Sequence, residues 1–191
     1  MIQRDFALRA LRDLVKPRDL VVAVYQSCFD WLALCPRDLN YVSTGAMGQA
    51  SSHALGLAIG SPDRRVIVLD GDGSLLMNLG SLVTIATVRP KHFLHLVFEN
   101  GVYEVNGEHP TPGAGHVDFA AMARAAGYQK AACFSELEAF KAELPALLVA
   151  DGPVMAVLKI IPGEAYPRDY AYIHSEATRD KFRAALNRSN G

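Results

Sequence analysis

The stretch Gly71-Asp72-Gly73-Ser74 combines residues that suit phosphate and metal chemistry. Its two glycines let a ligand come close to the backbone, and the carboxylate between them is a hard oxygen donor. A helix following such a turn presents unpaired N–H groups and a positive dipole end, which favour a phosphate. Magnesium takes one or two protein carboxylates together with phosphate oxygens and water. Asp72 fits that role, and Asn100 offers a second oxygen: 26 residues lie between Gly73 and Asn100. That interval holds one helix and one strand, which brings the chain back to the same sheet edge. An Asp-Gly pair alone also reads as the turn of a β-hairpin. Against the hairpin, Leu75, Leu76, Leu79, Leu82, Val83 and Ala86 follow on one helical face.

The elements that must position these residues can be read from the apolar pattern. Buried strands are expected at Leu20–Tyr25, Arg65–Asp70, Phe93–Phe98 and Val154–Ile161, with a short strand near Asn40–Val42. Helices are expected over residues 4–15, 29–34, 50–59, 75–89, 119–127, 135–148 and 175–187. Residues 101–117, with four Gly and two Pro, form the longest expected loop. The strands are continuous apolar runs that alternate with helices. This predicts an α/β fold, a three-layer αβα arrangement around a mainly parallel sheet. Ligands in such sheets bind beyond the carboxyl ends of strands. Three ends carry suitable residues: Gly45-Ala46-Met47-Gly48, Gly71-Asp72-Gly73-Ser74 and Glu99-Asn100-Gly101.

Gly-Asp-Gly, about 26 residues and then Asn resembles the thiamine diphosphate and Mg²⁺ motif of thiamine-diphosphate-dependent enzymes. Ser43 through Ile59 resembles that family's Gly-x-Met-Gly turn and following helix. Leu69 through Gly80, with Asn100-Gly101-Val102-Tyr103 and Pro110-Thr111, resembles the branch that contains phosphonopyruvate decarboxylase and the sulfopyruvate decarboxylase β subunit. The resemblance covers roughly residues 5–165 and implies the thiamine-diphosphate-binding fold. It implies that Asp72, Asn100 and the carbonyl of Val102 hold Mg²⁺. It implies that Gly71, Gly73 and Ser74 cradle the diphosphate, that the Gly45 carbonyl meets the aminopyrimidine, and that Met47 bends the cofactor.

The chain departs from the family pattern in three places. Glu99 replaces the usual Asn or Asp. Tyr25-Gln26-Ser27-Cys28 lacks the glycine of a diphosphate contact, leaving Ser27 and Cys28 as hydrogen-bond donors. Asn106-Gly107-Glu108-His109-Pro110-Thr111 replaces Thr-Gly-Gly-Gln-Pro-Thr. His109 is the candidate proton-transfer residue, with His116 in the same loop. His53, His92, His95 and His174 and the three cysteines read as structural.

Family members pair two α/β domains, one of which brings an activating glutamate. The 191 residues suit one domain, 1–191, closed by a terminal helix over 175–191. The expected partner is therefore a pyrimidine-binding-domain subunit in a hetero-oligomer. The implied activity is decarboxylation of a 2-oxoacid, sulfopyruvate or phosphonopyruvate, to CO₂ and an aldehyde. The rivals are a subunit of a 2-oxoacid oxidoreductase or carboligase, and a non-catalytic cofactor-binding module.

Composition narrows the classes further. Nineteen basic and twenty acidic residues give a net charge of −1 with no basic stripe, which argues against nucleic acid. No apolar run reaches about 18 residues, so no membrane span is expected. Three cysteines without a CxxC suit a reducing compartment, and a cytoplasmic protein is the expectation.

Overall fold

The computed structural model describes residues 1–42 and 44–188. In chain order it runs β1 (Ile2–Gln3), α1 (Arg4–Arg12), β2 (Leu20–Ala23), α2 (Tyr25–Leu34), β3 (Asn40–Tyr41) and α3 (Ala50–Gly60). There follow β4 (Val66–Gly71), α4 (Asp72–Leu76), α5 (Gly80–Val88), β5 (Phe93–Glu99), β6 (Val102–Tyr103) and β7 (His109–Pro110). The last third holds α6 (Phe119–Ala126), β8 (Lys130–Phe134), α7 (Leu137–Val149), β9 (Val154–Ile161), α8 (Tyr170–His174) and α9 (Glu176–Arg188).

Seven strands form one parallel sheet in the order β1-β9-β5-β4-β2-β3, with β8 also paired to β9. Strand residues alternate between two cores. Val21, Ala23, Ile67 and Leu69 face one layer, packed with Leu8, Trp31 and Phe140 from α1, α2 and α7. Leu20, Val22, Val66 and Val68 face the other, packed with Ala54, Ile85 and Ala123 from α3, α5 and α6. Burying each large apolar side chain stabilises the fold by about 1.5–3 kcal/mol, so the apolar runs require helices on both faces. The α/β, three-layer αβα arrangement is therefore as expected.

The chain leaves β2 outward to the edge strand β3, then crosses back over β2 to β4. That reversal opens a crevice between the carboxyl ends of β2 and β4, the place where such sheets bind ligands.

Several elements differ from the sequence expectation. The strand at Leu20 ends at Ala23, and α2 begins at Tyr25 rather than Phe29. The helix expected over 75–89 is two pieces, α4 and α5. The loop 101–117 contains the antiparallel pair β6–β7. The strands β1 and β8 and the short helix α8 were not expected. They lie at sheet edges or outside it, where apolar periodicity is weak. The terminal helix spans Glu176–Arg188, and the expected extension over 189–191 lies outside the described residues.

Candidate active site

The crevice at the strand reversal is lined by Val24–Ser27 after β2, Met47, Gly71–Ser74 at the end of β4, and Phe98, Asn100 and Val102–Val105 at and beyond the end of β5. Arg4 from α1 reaches it as well. Asp72, Gly71, Gly73, Ser74, Asn100, Val102 and Met47 therefore come together as the sequence suggested. Gly45 and His109 do not line the crevice. Gly45 is exposed with φ +78, and His109 is exposed on β7.

Asp72 opens α4 and is 3% exposed. Its Oδ1 accepts from its neighbour Gly73 N at 2.9 Å, and its Oδ2 from Gly101 N at 2.8 Å. Each oxygen keeps a lone pair. Burial pushes the Asp72 carboxyl up to about 6, against the lowering effect of the Gly101 and Gly73 N–H groups, and the Glu99 charge raises it further. Asn100 follows β5. Its Oδ1 accepts from Val102 N at 3.0 Å, and its Nδ2 donates to Glu104 Oε2 at 3.0 Å, which fixes the amide orientation.

Glu104 is itself clamped by Arg4, whose two terminal nitrogens donate to it at 2.6 and 2.9 Å. Arg4 Nε donates to Asp30, and Gln26 Nε2 donates to the same carboxylate at 2.7 Å. Burial works against the Arg4 charge, but Glu104 and Asp30 overcome it and hold its pKa above the ordinary value. Burial raises the Asp30 carboxyl despite Arg4 and Gln26. Sequence reasoning missed this cluster because Arg4, Asp30 and Glu104 are far apart in the chain and match no motif.

The turn carrying Met47 is tied to the Asp72 turn. Gly48 N donates to Ser74 Oγ at 2.9 Å, and Asn78 Nδ2 donates to Gly48 O at 3.0 Å. Gly48 has φ +81, and a β-carbon there would stand 3.1 Å from Met77 Cβ, so glycine is required. Gly73 lies under the Tyr103 ring, which a β-carbon would meet at 2.6 Å.

Tyr25 takes φ +45, a conformation glycine favours, at the segment where the resemblance calls for a glycine. The chain thus forms the turn without that residue. Ser27 lines the crevice as expected of a donor. Cys28 does not: it packs in the core against α1 and α7, and burial pushes its thiol up to about 12. The expectation of a Cys28 contact is corrected, because the helix starting at Tyr25 turns this side chain inward.

The donor set fits a magnesium diphosphate. One carboxylate and one oriented amide oxygen stand at the ends of adjacent strands, beside a glycine-flanked turn. Among the described residues no three His, Cys, Asp or Glu side chains form a metal cluster, so a cation here needs oxygens brought by a ligand. No helix among them is long and apolar enough to cross a membrane.

Comparison with known proteins agrees with this geometry. The thiamine pyrophosphate enzyme, C-terminal TPP binding domain family matches residues 26–158. Phosphonopyruvate decarboxylase of Streptomyces viridochromogenes is 37% identical over 155 residues, covering 81% of this chain and 38% of that protein. Sulfopyruvate decarboxylase subunit beta of Methanothermobacter thermautotrophicus is 40% identical over 126 residues, covering 66% of this chain and 64% of that one. The match thus spans less than two thirds of either relative's length. The solved 4-hydroxybenzoylformate decarboxylase of Rhodococcus jostii shares the fold, with a TM-score of 0.68 at 21% identity over 86% of this chain and 33% of its own. The chain belongs to the thiamine pyrophosphate enzyme family and carries its C-terminal TPP binding domain.

Proposed function

We propose that the chain is the diphosphate- and Mg²⁺-binding subunit of a thiamine-diphosphate-dependent decarboxylase acting on sulfopyruvate or phosphonopyruvate. The observation that carries the reading is the juxtaposition of Asp72 and Asn100 at the ends of β4 and β5, beside the Gly71–Ser74 turn. Asp72, the Asn100 amide and the Val102 carbonyl hold Mg²⁺. The Gly71, Gly73 and Ser74 turn and the first turn of α2, which has no side-chain cap among the described residues, receive the diphosphate. Met47 would support the bound cofactor, and the Gly45 carbonyl would meet its pyrimidine. When bound, thiamine diphosphate supplies the carbon nucleophile that adds to a keto group and accepts electrons as CO₂ leaves.

The remaining tasks point to a second chain. Among the described residues, Glu104 is the only glutamate lining the crevice, and it is held by Arg4 and Asn100. An activating glutamate therefore comes from a pyrimidine-binding-domain subunit, in keeping with a relative that is itself named a subunit. Arg4, the one cation lining the crevice among the described residues, is bracketed by two carboxylates, so the anionic tail of the substrate is read by cations from the partner side. His109, exposed on β7, is the candidate proton donor once that partner covers it.

The test is CO₂ release from sulfopyruvate and phosphonopyruvate by the complex purified with its native partners. Turnover of either, dependent on added Mg²⁺ and thiamine diphosphate, is expected. A complex that binds the cofactor and turns over neither acid contradicts the reading.

A further inference from the structure

Arg64 is 3% exposed, yet all three of its guanidinium nitrogens lack a hydrogen-bond partner among the described residues. It sits in the turn between α3 and β4, held there by its own N–H donating to Ser61 O at 3.0 Å. A buried guanidinium without acceptors is costly, and folded proteins pair such groups. Burial first, and then the positive charge of Arg18, lower its pKa.

Arg64 lines a cleft of about 500 Å³ with Lys16, Arg18, Asp19, Asp63 and Arg65. Asp19 is already committed, ion-paired with Arg65 and accepting from the Lys16 N–H. Asp63, exposed, is the remaining acid, set against Lys16, Arg18 and Arg64. The cleft therefore holds surplus positive charge around an unpaired fork of donors. Guanidinium forks match phosphate oxygens in two parallel hydrogen bonds. Pro17, Leu148 and Val149 give the cleft an apolar wall, and its volume falls within the range of small-molecule sites.

We propose that this cleft binds a small phosphate-bearing anion, a phosphomonoester, with Arg64 as the bidentate anchor and Arg18 and Lys16 at the mouth. It lies at the amino ends of β2 and β4, the opposite edge of the sheet from Asp72. The six residues of β4 separate the two sites by about 20 Å.

The test uses inorganic phosphate as the probe, titrated by calorimetry into the native complex at constant ionic strength. Wild type, Arg64→Met, Arg18→Gln and Asp72→Ala are compared. Saturable binding is expected for wild type, weakened about 10-fold or more in Arg64→Met by loss of the charge-assisted fork. Arg18→Gln, an exposed change, weakens it by a smaller factor, and Asp72→Ala binds as wild type. Without phosphate, Arg64→Met melts no lower than wild type, because an unpaired buried charge has gone.

The proposal is overturned if wild type shows no saturable binding at millimolar phosphate, as when a partner's acidic side chain already occupies Arg64. Binding lost in Asp72→Ala and kept in Arg64→Met also overturns it, since the phosphate then sits at the Asp72 turn. If Arg64→Met fails to fold, Arg18→Gln decides: binding unchanged from wild type overturns the site.

Discussion

Asp72 Oδ2 accepts the backbone N–H of Gly101 at 2.8 Å, joining the carboxyl ends of β4 and β5. Because Asn100 immediately precedes Gly101, the same bond sets the distance between the two side chains assigned to the metal. The turn is thus built by the residue that is also the proposed ligand.

That double use has a pH consequence. Burial raises the Asp72 carboxyl from the ordinary 3.8 to about 6 in the fold. Between these values the folded chain holds the proton more tightly than the unfolded one. The group therefore favours folding at low pH, and that contribution is lost as pH rises through about 6. Metal binding needs the ionised form, so affinity moves the other way and falls about tenfold per pH unit below 6. Thermal melts of the metal-free chain from about pH 4 to 7 should show the falling contribution in wild type and not in Asp72→Asn.

Glu104 touches Asn100 and Arg4 and is not assigned to the metal. Glu104→Ala frees the Asn100 Nδ2 end of the amide and leaves Arg4 with Asp30 alone. Removing such an orienting partner costs about 10–100-fold in metal-site affinity. Glu104→Gln keeps an acceptor for Asn100 and should recover part of it. Calorimetry of thiamine diphosphate with Mg²⁺ on the native complex measures both.

Gly48→Ala is expected to destabilise by about 1–3 kcal/mol, from the left-handed backbone and the 3.1 Å approach to Met77. Since Gly48 N also anchors Ser74 Oγ, cofactor affinity should fall with it. Urea unfolding gives the first quantity and calorimetry the second.

Beneath the site, His95 is fully buried with Nε2 3.1 Å from Asp70 Oδ2 and Nδ1 3.3 Å from the Tyr128 hydroxyl. Asp70 in turn accepts from Gly71 N. His95→Leu strands two buried polar groups, at about 1–3 kcal/mol each. Urea unfolding should show a loss of that size, and a shift below about 1 kcal/mol contradicts the hydrogen-bonded reading of this trio.

The central strands and the two glycine turns were legible because β-branched runs and turn residues are local signals. Asp72 and Asn100 were legible because their spacing encodes a helical stretch and one strand. Tyr25 was not, since no local rule places a tyrosine at positive φ. The Arg4–Asp30–Glu104 cluster was not, since it forms only when α1, α2 and the loop after β5 meet. His95 read as structural from sequence, which its burial supports, but its two partners emerge only from the sheet register. His109 drew notice as a loop histidine, and the fold leaves it outside the crevice.

The most direct test is native mass spectrometry of the complex recovered from the chain's own cells in Mg²⁺, for wild type and Asp72→Ala. The account predicts that wild type carries thiamine diphosphate and Mg²⁺ together with a second subunit. It predicts that Asp72→Ala keeps the subunit and loses the cofactor. Cofactor retained in full by Asp72→Ala, or absent from wild type, contradicts it.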